Sequence, residues 1–379
     1  MKKMFKKLLA AFTVVSVIAT VCNVSFVGAV SDDSITQQEI QEAFQTQAAD
    51  MWHALQDSPE ALGFTPEEVQ EAYIGSSFTI VNREHGATET VDDILYFPVI
   101  SDGHIIALLT LIKFDGMISC SIGKDFAPEL SEYLEGTESN SALFSENGSI
   151  YAISPDSEIS GIFHNEETSL AVRRSTADNV SYEDINREDN VVSAVELTEE
   201  TYRFPNVVSS RAASSYKYLT DFPIVFQGSL PICWAAATAA IIIFEMPEVG
   251  NLYATTLCDK IGHPYTAGDN NDVIKAMKAY FPSTHLPTAY NDAMSPNDVQ
   301  VIINNIDPAY MNSFKVNADG RHGTALCGYA WYGSTFQIRL MDPAYECFKF
   351  STYTNGIYRF PFGNSQYQWD KTVRILYRV

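Results

Sequence analysis

Cys233 stands at the head of an apolar segment, Cys233–Glu245 (CWAAATAAIIIFE), just after Pro231 and Ile232. The segment is apolar on nearly every face, which predicts a helix buried all round with the cysteine in its first turn. A helix N-terminus presents unpaired N–H groups and partial positive charge, conditions that favour a thiolate. A thiolate is a nucleophile for covalent catalysis, and it needs a base, a group to orient that base and a donor for the oxyanion. Gln227 lies upstream in the turn-rich run Gln-Gly-Ser-Leu-Pro-Ile and offers a side-chain amide as that donor. Against this stands the plainer fact that most lone cysteines are buried small hydrophobes.

Three histidines follow the cysteine. His263 and His285 sit beside Pro264 and Pro287 in loop-like, surface-type stretches. His322 is placed differently, because Gly320-Arg321-His322-Gly323 leads straight into the apolar strand Thr324–Trp331. A turn at Gly333-Ser334 followed by a second strand, Phe336–Met341, predicts a hairpin that returns Asp342 to the neighbourhood of His322. A carboxylate there fixes the imidazole tautomer and stabilises the imidazolium. Taken alone, Asp342-Pro343 is an ordinary strand-ending turn; the four residues in this order argue together.

The elements that must carry these residues can be read along the chain. Residues 37–54 have apolar positions at helical spacing, and Thr65-Pro66-Glu67-Glu68 opens a second, short helix. Ile94–Ile100, His104–Phe114 and Met117–Ile122 read as strands split by turns, and Ala142–Phe144 and Ser149–Ile153 follow in the same style. After Cys233–Glu245, helices are expected over Asp272–Tyr280 and Pro296–Asn304, the latter opened by Ser295. Further strands are expected at Ile357–Phe360 and Thr372–Tyr377. The fold class expected is α+β: a small α+β body, then a second α+β domain with its helices first and an antiparallel sheet after them.

The 379 residues are 46% hydrophobic with a net charge of −23, which excludes a disordered chain and disfavours binding through nucleic-acid phosphates. Charge is uneven: residues 31–211 hold 34 acidic and 8 basic side chains, whereas 212–379 hold 13 and 12. Lys2, Lys3, Lys6 and Lys7, the apolar run Leu8–Val21 and the small residues Val27-Gly28-Ala29 form the pattern of a cleaved export signal over residues 1–29. Removal of that signal leaves five cysteines, an odd number that predicts at least one free thiol or an intermolecular bridge, and none has metal-type C-x-x-C spacing. The boundaries expected are a signal peptide over 1–29, an acidic segment over 30–204, a small polar linker over 205–216 with Arg211 as its one basic residue, and a catalytic domain over 217–379.

Gln227-x5-Cys233-Trp234, His322-Gly323 and Asp342-Pro343 together resemble the papain-like cysteine peptidases, most nearly their compact bacterial staphopain-like and bacteriocin-processing types. The resemblance covers the last ~165 residues, the size of one domain. It implies a papain-like catalytic domain preceded by an α+β prodomain, with Cys233 as nucleophile, His322 as base, Asp342 as orienter and Gln227 as oxyanion donor. It further implies a secreted, monomeric endopeptidase made as a zymogen, acting on protein or peptide substrates, with residues 30–204 as its own inhibitor. Neither cofactor nor metal is called for, nor a nucleic-acid or membrane partner of the mature form. The sequence departs from the plant-type pattern: Leu230-Pro231-Ile232 replaces the C-G-S run before the nucleophile, and the third residue is Asp where Asn is usual. Two other readings stay open, a different Cys–His–Asp acyl transfer (cell-wall amidase or transglutaminase-like) and a non-catalytic binding or adhesion protein.

Overall fold

The computed structural model describes residues 34–377, apart from 85–86, 90, 138–139, 147, 165–179, 188 and 205–214. The expected export signal and most of the expected linker therefore lie outside the described residues. The chain starts with two helices, α1 (Gln37–Gln45) and α2 (Gln47–Asp57). A capping box closes the N-terminus of α1, with the Thr36 side chain on the Glu39 N–H and the Glu39 carboxylate on the Thr36 N–H. Three long antiparallel strands follow: β1 (Ile94–Ser101), β2 (His104–Phe114) and β3 (Met117–Gly123). The helix α3 (Ala127–Glu135) and the strands β4 (Ser141–Glu146), β5 (Ser149–Ile153) and β6 (Ile159–Phe163) come next, the last three lying in a second sheet.

The second half begins with the helix α4 (Cys233–Glu245), buried from Trp234 to Ile242. Against it pack α5 (Ala254–Ile261) and α6 (Asn270–Tyr280), while α7 (Pro296–Asn304) packs on the strand Arg321–Tyr332. Six strands come next: β7 (Ala309–Lys315), β8 (Arg321–Tyr332), β9 (Thr335–Asp342), β10 (Cys347–Thr354), β11 (Ile357–Phe362) and β12 (Ser365–Tyr377). Their pairing runs β7–β8–β9–β10–β11–β12 and returns from β12 to β7, every step antiparallel. The ring has no free end, so the six strands form a closed barrel.

This corrects the expected fold class. Most predicted elements are present, but they do not build a helical papain-like domain preceded by a separate α+β prodomain. Roughly 38% of the described residues are strand and 30% helix, and the architecture is a barrel with added strands. The acidic first half joins the barrel directly: β3 pairs with β10 through Gly123–Lys349, Ile122–Phe350 and Ser121–Ser351, which places β1–β3 in the same sheet as β8 and β9. Side chains stitch this seam as well, with Ser121 Oγ donating to the Phe350 carbonyl at 2.9 Å and the Cys120 N–H to Thr352 Oγ1 at 2.9 Å. The helix α2 covers the β8–β9 turn, where Asp50 accepts from Thr335 Oγ1 at 2.7 Å and Asp57 from the Tyr332 hydroxyl at 2.5 Å. One hydrophobic core runs through both halves, from Phe44 and Trp52 to Trp234 and Trp369. The expectation failed because the strand Cys347–Thr354, which offers β3 its edge, was not recognised.

A shared core and a shared sheet predict one cooperative transition. Native-state hydrogen exchange of the full chain should give β1–β3 and β8–β10 the same global opening free energy. Phe350→Ala, at a fully buried position on the seam, should lower both by about 3–5 kcal/mol. Exchange of β1–β3 at a free energy well below that of β8–β10 would contradict this account.

Candidate active site

The N-terminus of α4 faces the strand β8. Cys233 is the first residue of the helix and is partly exposed, whereas Trp234 beside it is buried. The Trp234 indole N–H donates to the Thr266 carbonyl at 2.9 Å, which fixes the first turn of the helix from behind. On the other side β8 comes close because Gly323 has no side chain. A Cβ there would lie 2.6 Å from the Tyr310 hydroxyl and 3.0 Å from Trp234 Cα. That approach lets the Gly323 N–H donate to Cys233 Sγ at 3.4 Å.

His322 precedes this glycine and is 2% exposed. Its ring stacks on Phe362 with centroids 4.1 Å apart and planes 7° from parallel, and Tyr367 meets it edge-on at 6.0 Å. Its Nε2 lies 2.9 Å from Asp342 Oδ1. Asp342 is fully buried. Burial alone would raise its carboxyl, but the Lys349 ammonium and then the His322 ring outweigh burial and hold it well below the usual carboxylate range. An ionised carboxylate can only accept, so Nε2 carries the proton and donates it. Burial alone would likewise lower the imidazole. The charge and hydrogen bond of Asp342, and after them the hydrogen bond to Cys233, raise it to about 10. The imidazole thus has the carboxylate on one side and Cys233 as a near neighbour on the other.

Strand register explains how Asp342 reaches that ring. Next to the two-residue turn at Gly333-Ser334, Tyr332 pairs with Thr335 and Gly328 with Arg339. Continued unbroken, that register would set Asp342 opposite Ala325, on the face away from His322. A β-bulge at Cys327 shifts it by one residue, so that Leu326 pairs with Leu340 and Ala325 with Met341. Asp342 then falls opposite Thr324, on the same face as His322.

Gln227 lies in the loop before α4. Its backbone N–H donates to the Pro343 carbonyl at 3.0 Å, tying this loop to the end of β9. Its side-chain Nε2 is 3.4 Å from the Leu230 carbonyl, and its Oε1 is buried without a hydrogen-bond partner. A cavity of about 270 Å³ opens beside Gln227 and Gly228, walled by Phe163, His164 and Tyr345. A second, of about 550 Å³, is lined by the same loop together with Leu252 and Tyr253.

All four residues singled out in the sequence therefore fall in one region, with Cys233, His322 and Asp342 in a connected line. His263 and His285 are elsewhere: His263 packs against the Trp234 ring at 4.9 Å, and His285 against Tyr377 at 4.8 Å. The other four cysteines of the described residues are free and buried. Burial pushes the Cys258 and Cys327 thiols up to about 11, and those of Cys120 and Cys347 higher still. Among the described residues no group of three or more His, Cys, Asp or Glu side chains is arranged to hold a metal ion.

Sequence reasoning missed Lys349 and Asp125. Lys349 is fully buried, with its Nζ 2.9 Å from Asp342 Oδ2 and in contact with Asp125. A signal was present, since a single lysine inside Cys347-Phe348-Lys349-Phe350 has to bury its charge or leave the strand. Phe362, the ring beneath His322, carried no comparable signal.

These shifts set a pH dependence of stability. The raised His322 contributes stability that is fully present below its ordinary value of 6.5 and is lost as pH rises through about 10. The lowered Asp342 contributes stability present above its ordinary 3.8 and lost as pH falls through its depressed folded value. Urea unfolding should therefore show stability declining between pH 6.5 and 10, with a shallower decline in His322→Gln. Equal slopes for the two proteins would contradict the imidazolium–carboxylate pairing.

No protein-family model matches this chain, and no curated protein matches it.

Proposed function

We propose that this protein is an exported cysteine endopeptidase that hydrolyses peptide bonds through an acyl-enzyme on Cys233. The observation that carries the proposal is the line of three groups at the head of α4: a partly exposed sulfur, a buried imidazole beside it, and a buried carboxylate 2.9 Å from the far ring nitrogen. Such a set supplies a nucleophile, a proton shuttle and an orienting charge.

In the first half of the reaction the Cys233 thiolate attacks the substrate carbonyl carbon and a C–S bond forms. The oxyanion accepts from the Cys233 backbone N–H at the helix start and from the Gln227 amide. His322 then gives its Nδ1 proton to the departing amine nitrogen, and the C–N bond breaks. In the second half His322 takes a proton from water, the hydroxide attacks the thioester carbon, and the C–S bond breaks to release the acid. Throughout, Asp342 holds the Nε2–H side of the ring. Both cavities are lined by Gln227 and Gly228 and so leave open space beside the oxyanion donor. Export rests on the signal pattern of residues 1–29.

An irreversible epoxide-type thiol inhibitor should label Cys233 alone, since the other four cysteines are buried with their thiols pushed up. Cys233→Ala should abolish cleavage of an unstructured protein while keeping the fold. Gln227→Ala should lower kcat by about 10²–10³. Labelling with no cleavage of protein, but with release of amide groups from cell-wall peptides or amine incorporation into glutamine, would assign a different acyl transfer. No labelling of Cys233 would remove the enzyme reading.

A further inference from the structure

Lys349 is a fully buried cation on β10 that a cysteine–histidine pair does not require. Burying an ammonium is costly unless it is paired and hydrogen-bonded. Lys349 has two carboxylates, Asp342 on one side and Asp125 on the other. It also donates to the Pro361 carbonyl at 3.3 Å and lies 4.1 Å from the centre of the Tyr345 ring. Asp125 comes from the first half of the chain. It follows β3, is 6% exposed, and adopts left-handed backbone with φ 43°. Gly123 is the point where β3 lies against Lys349: the two are register partners, and a Cβ on Gly123 would lie 2.7 Å from Lys349 Cγ. The seam between the halves thus delivers an acid into the charge network of the site.

Two carboxylates sharing one ammonium have a calculable consequence. Lys349 alone beside Asp342 would offset the negative charge that holds the His322 imidazolium. Asp125 sits on the far side of Lys349; burial raises its carboxyl and the ammonium works against that, and in its ionised form it restores negative potential at the ring. We propose that Asp125 is a positioning residue for the triad, acting through Lys349 to hold Asp342 in place and to keep the potential at the His322 ring negative. Residues 34–204 are then a working part of the catalytic body, in place of the detachable inhibitor expected from the sequence, and should stay bound if the linker is cut. The inference rests on the reading of Cys233, His322 and Asp342 as an acyl-transfer site.

The other titratable groups facing this network come from several elements. Cys233 of α4 and Tyr367 of β12 face His322. Tyr345 and Cys347 face Lys349 and both acids, and Tyr96 of β1 and Glu129 of α3 face Asp125. Burial raises Tyr345, Cys347 and Tyr96, which keeps them protonated and uncharged in the neutral range.

The test is a histidine-ring NMR titration of the full chain, run beside kinetics on an unstructured protein. Asp125→Asn should lower the His322 titration by about one pH unit. It should move the alkaline limb of the kcat profile down with it and cut kcat at high pH about tenfold with KM unchanged. In Asp125→Asn with Lys349→Met, which removes both charges together, the titration should return to the wild-type value or above. This double variant also serves if Asp125→Asn alone fails to fold. An unmoved titration in Asp125→Asn, or a double variant lowered as far as the single one, would overturn the proposal. Because the ring is read directly, a shifted titration in a protein that cleaves nothing would sink the peptidase reading and leave this one standing.

Discussion

The Asp342 carboxylate is fully buried and satisfies a cation on each oxygen, the His322 ring at 2.9 Å and the Lys349 ammonium at 2.9 Å. Removing either cation would leave a buried carboxylate short of a partner, a defect worth about 3–5 kcal/mol. Three barrel strands are therefore constrained at once, since His322 lies on β8, Asp342 on β9 and Lys349 on β10. Asp125 extends the constraint across the seam to β3. The network is a weak source of net stability, because desolvation consumes most of its Coulombic gain. Its effect is geometric: it allows one relative placement of these strands, and that placement puts the imidazole beside Cys233.

The residues of the candidate site were largely legible in the sequence and their support was not. Cys233 before an all-apolar helix, His322 at a strand mouth and Asp342 before a proline are local signals, and each falls where its own segment predicts. The Gly333-Ser334 turn correctly announced the hairpin. The bulge at Cys327, on which the orientation of Asp342 depends, has no mark in the sequence, because nothing about a cysteine between Leu326 and Gly328 calls for an extra residue. Without that shift the same hairpin would turn Asp342 away from His322, so the expected proximity was right for an incomplete reason.

The fold was misjudged at the level of what joins what. Helix and strand assignments depend on short-range periodicity, whereas barrel closure depends on β11 and β12 meeting β10 and β7, and the seam on β3 meeting β10. The acidic bias of residues 31–211 pointed to a separate body. Yet the charge sits mostly on solvent faces, while Phe44, Trp52, Ile122 and Leu130 enter the same core as Trp234 and Trp369. Surface charge speaks to solubility and partners and is silent about fold. The linker expected over 205–216 does not imply that the segments it joins are independent when a ten-strand path of hydrogen bonds connects them.

The proposed reaction requires Cys233 to carry an acyl group during turnover, with His322 as the proton shuttle. The most direct measurement mixes the full chain with a slow-deacylating activated ester, quenches it in acid within the burst, and locates the adduct by peptide mass spectrometry. The account predicts one acyl group per chain on the peptide containing Cys233, with its formation slowed strongly in His322→Ala. An adduct elsewhere, or equal formation in His322→Ala, would contradict it.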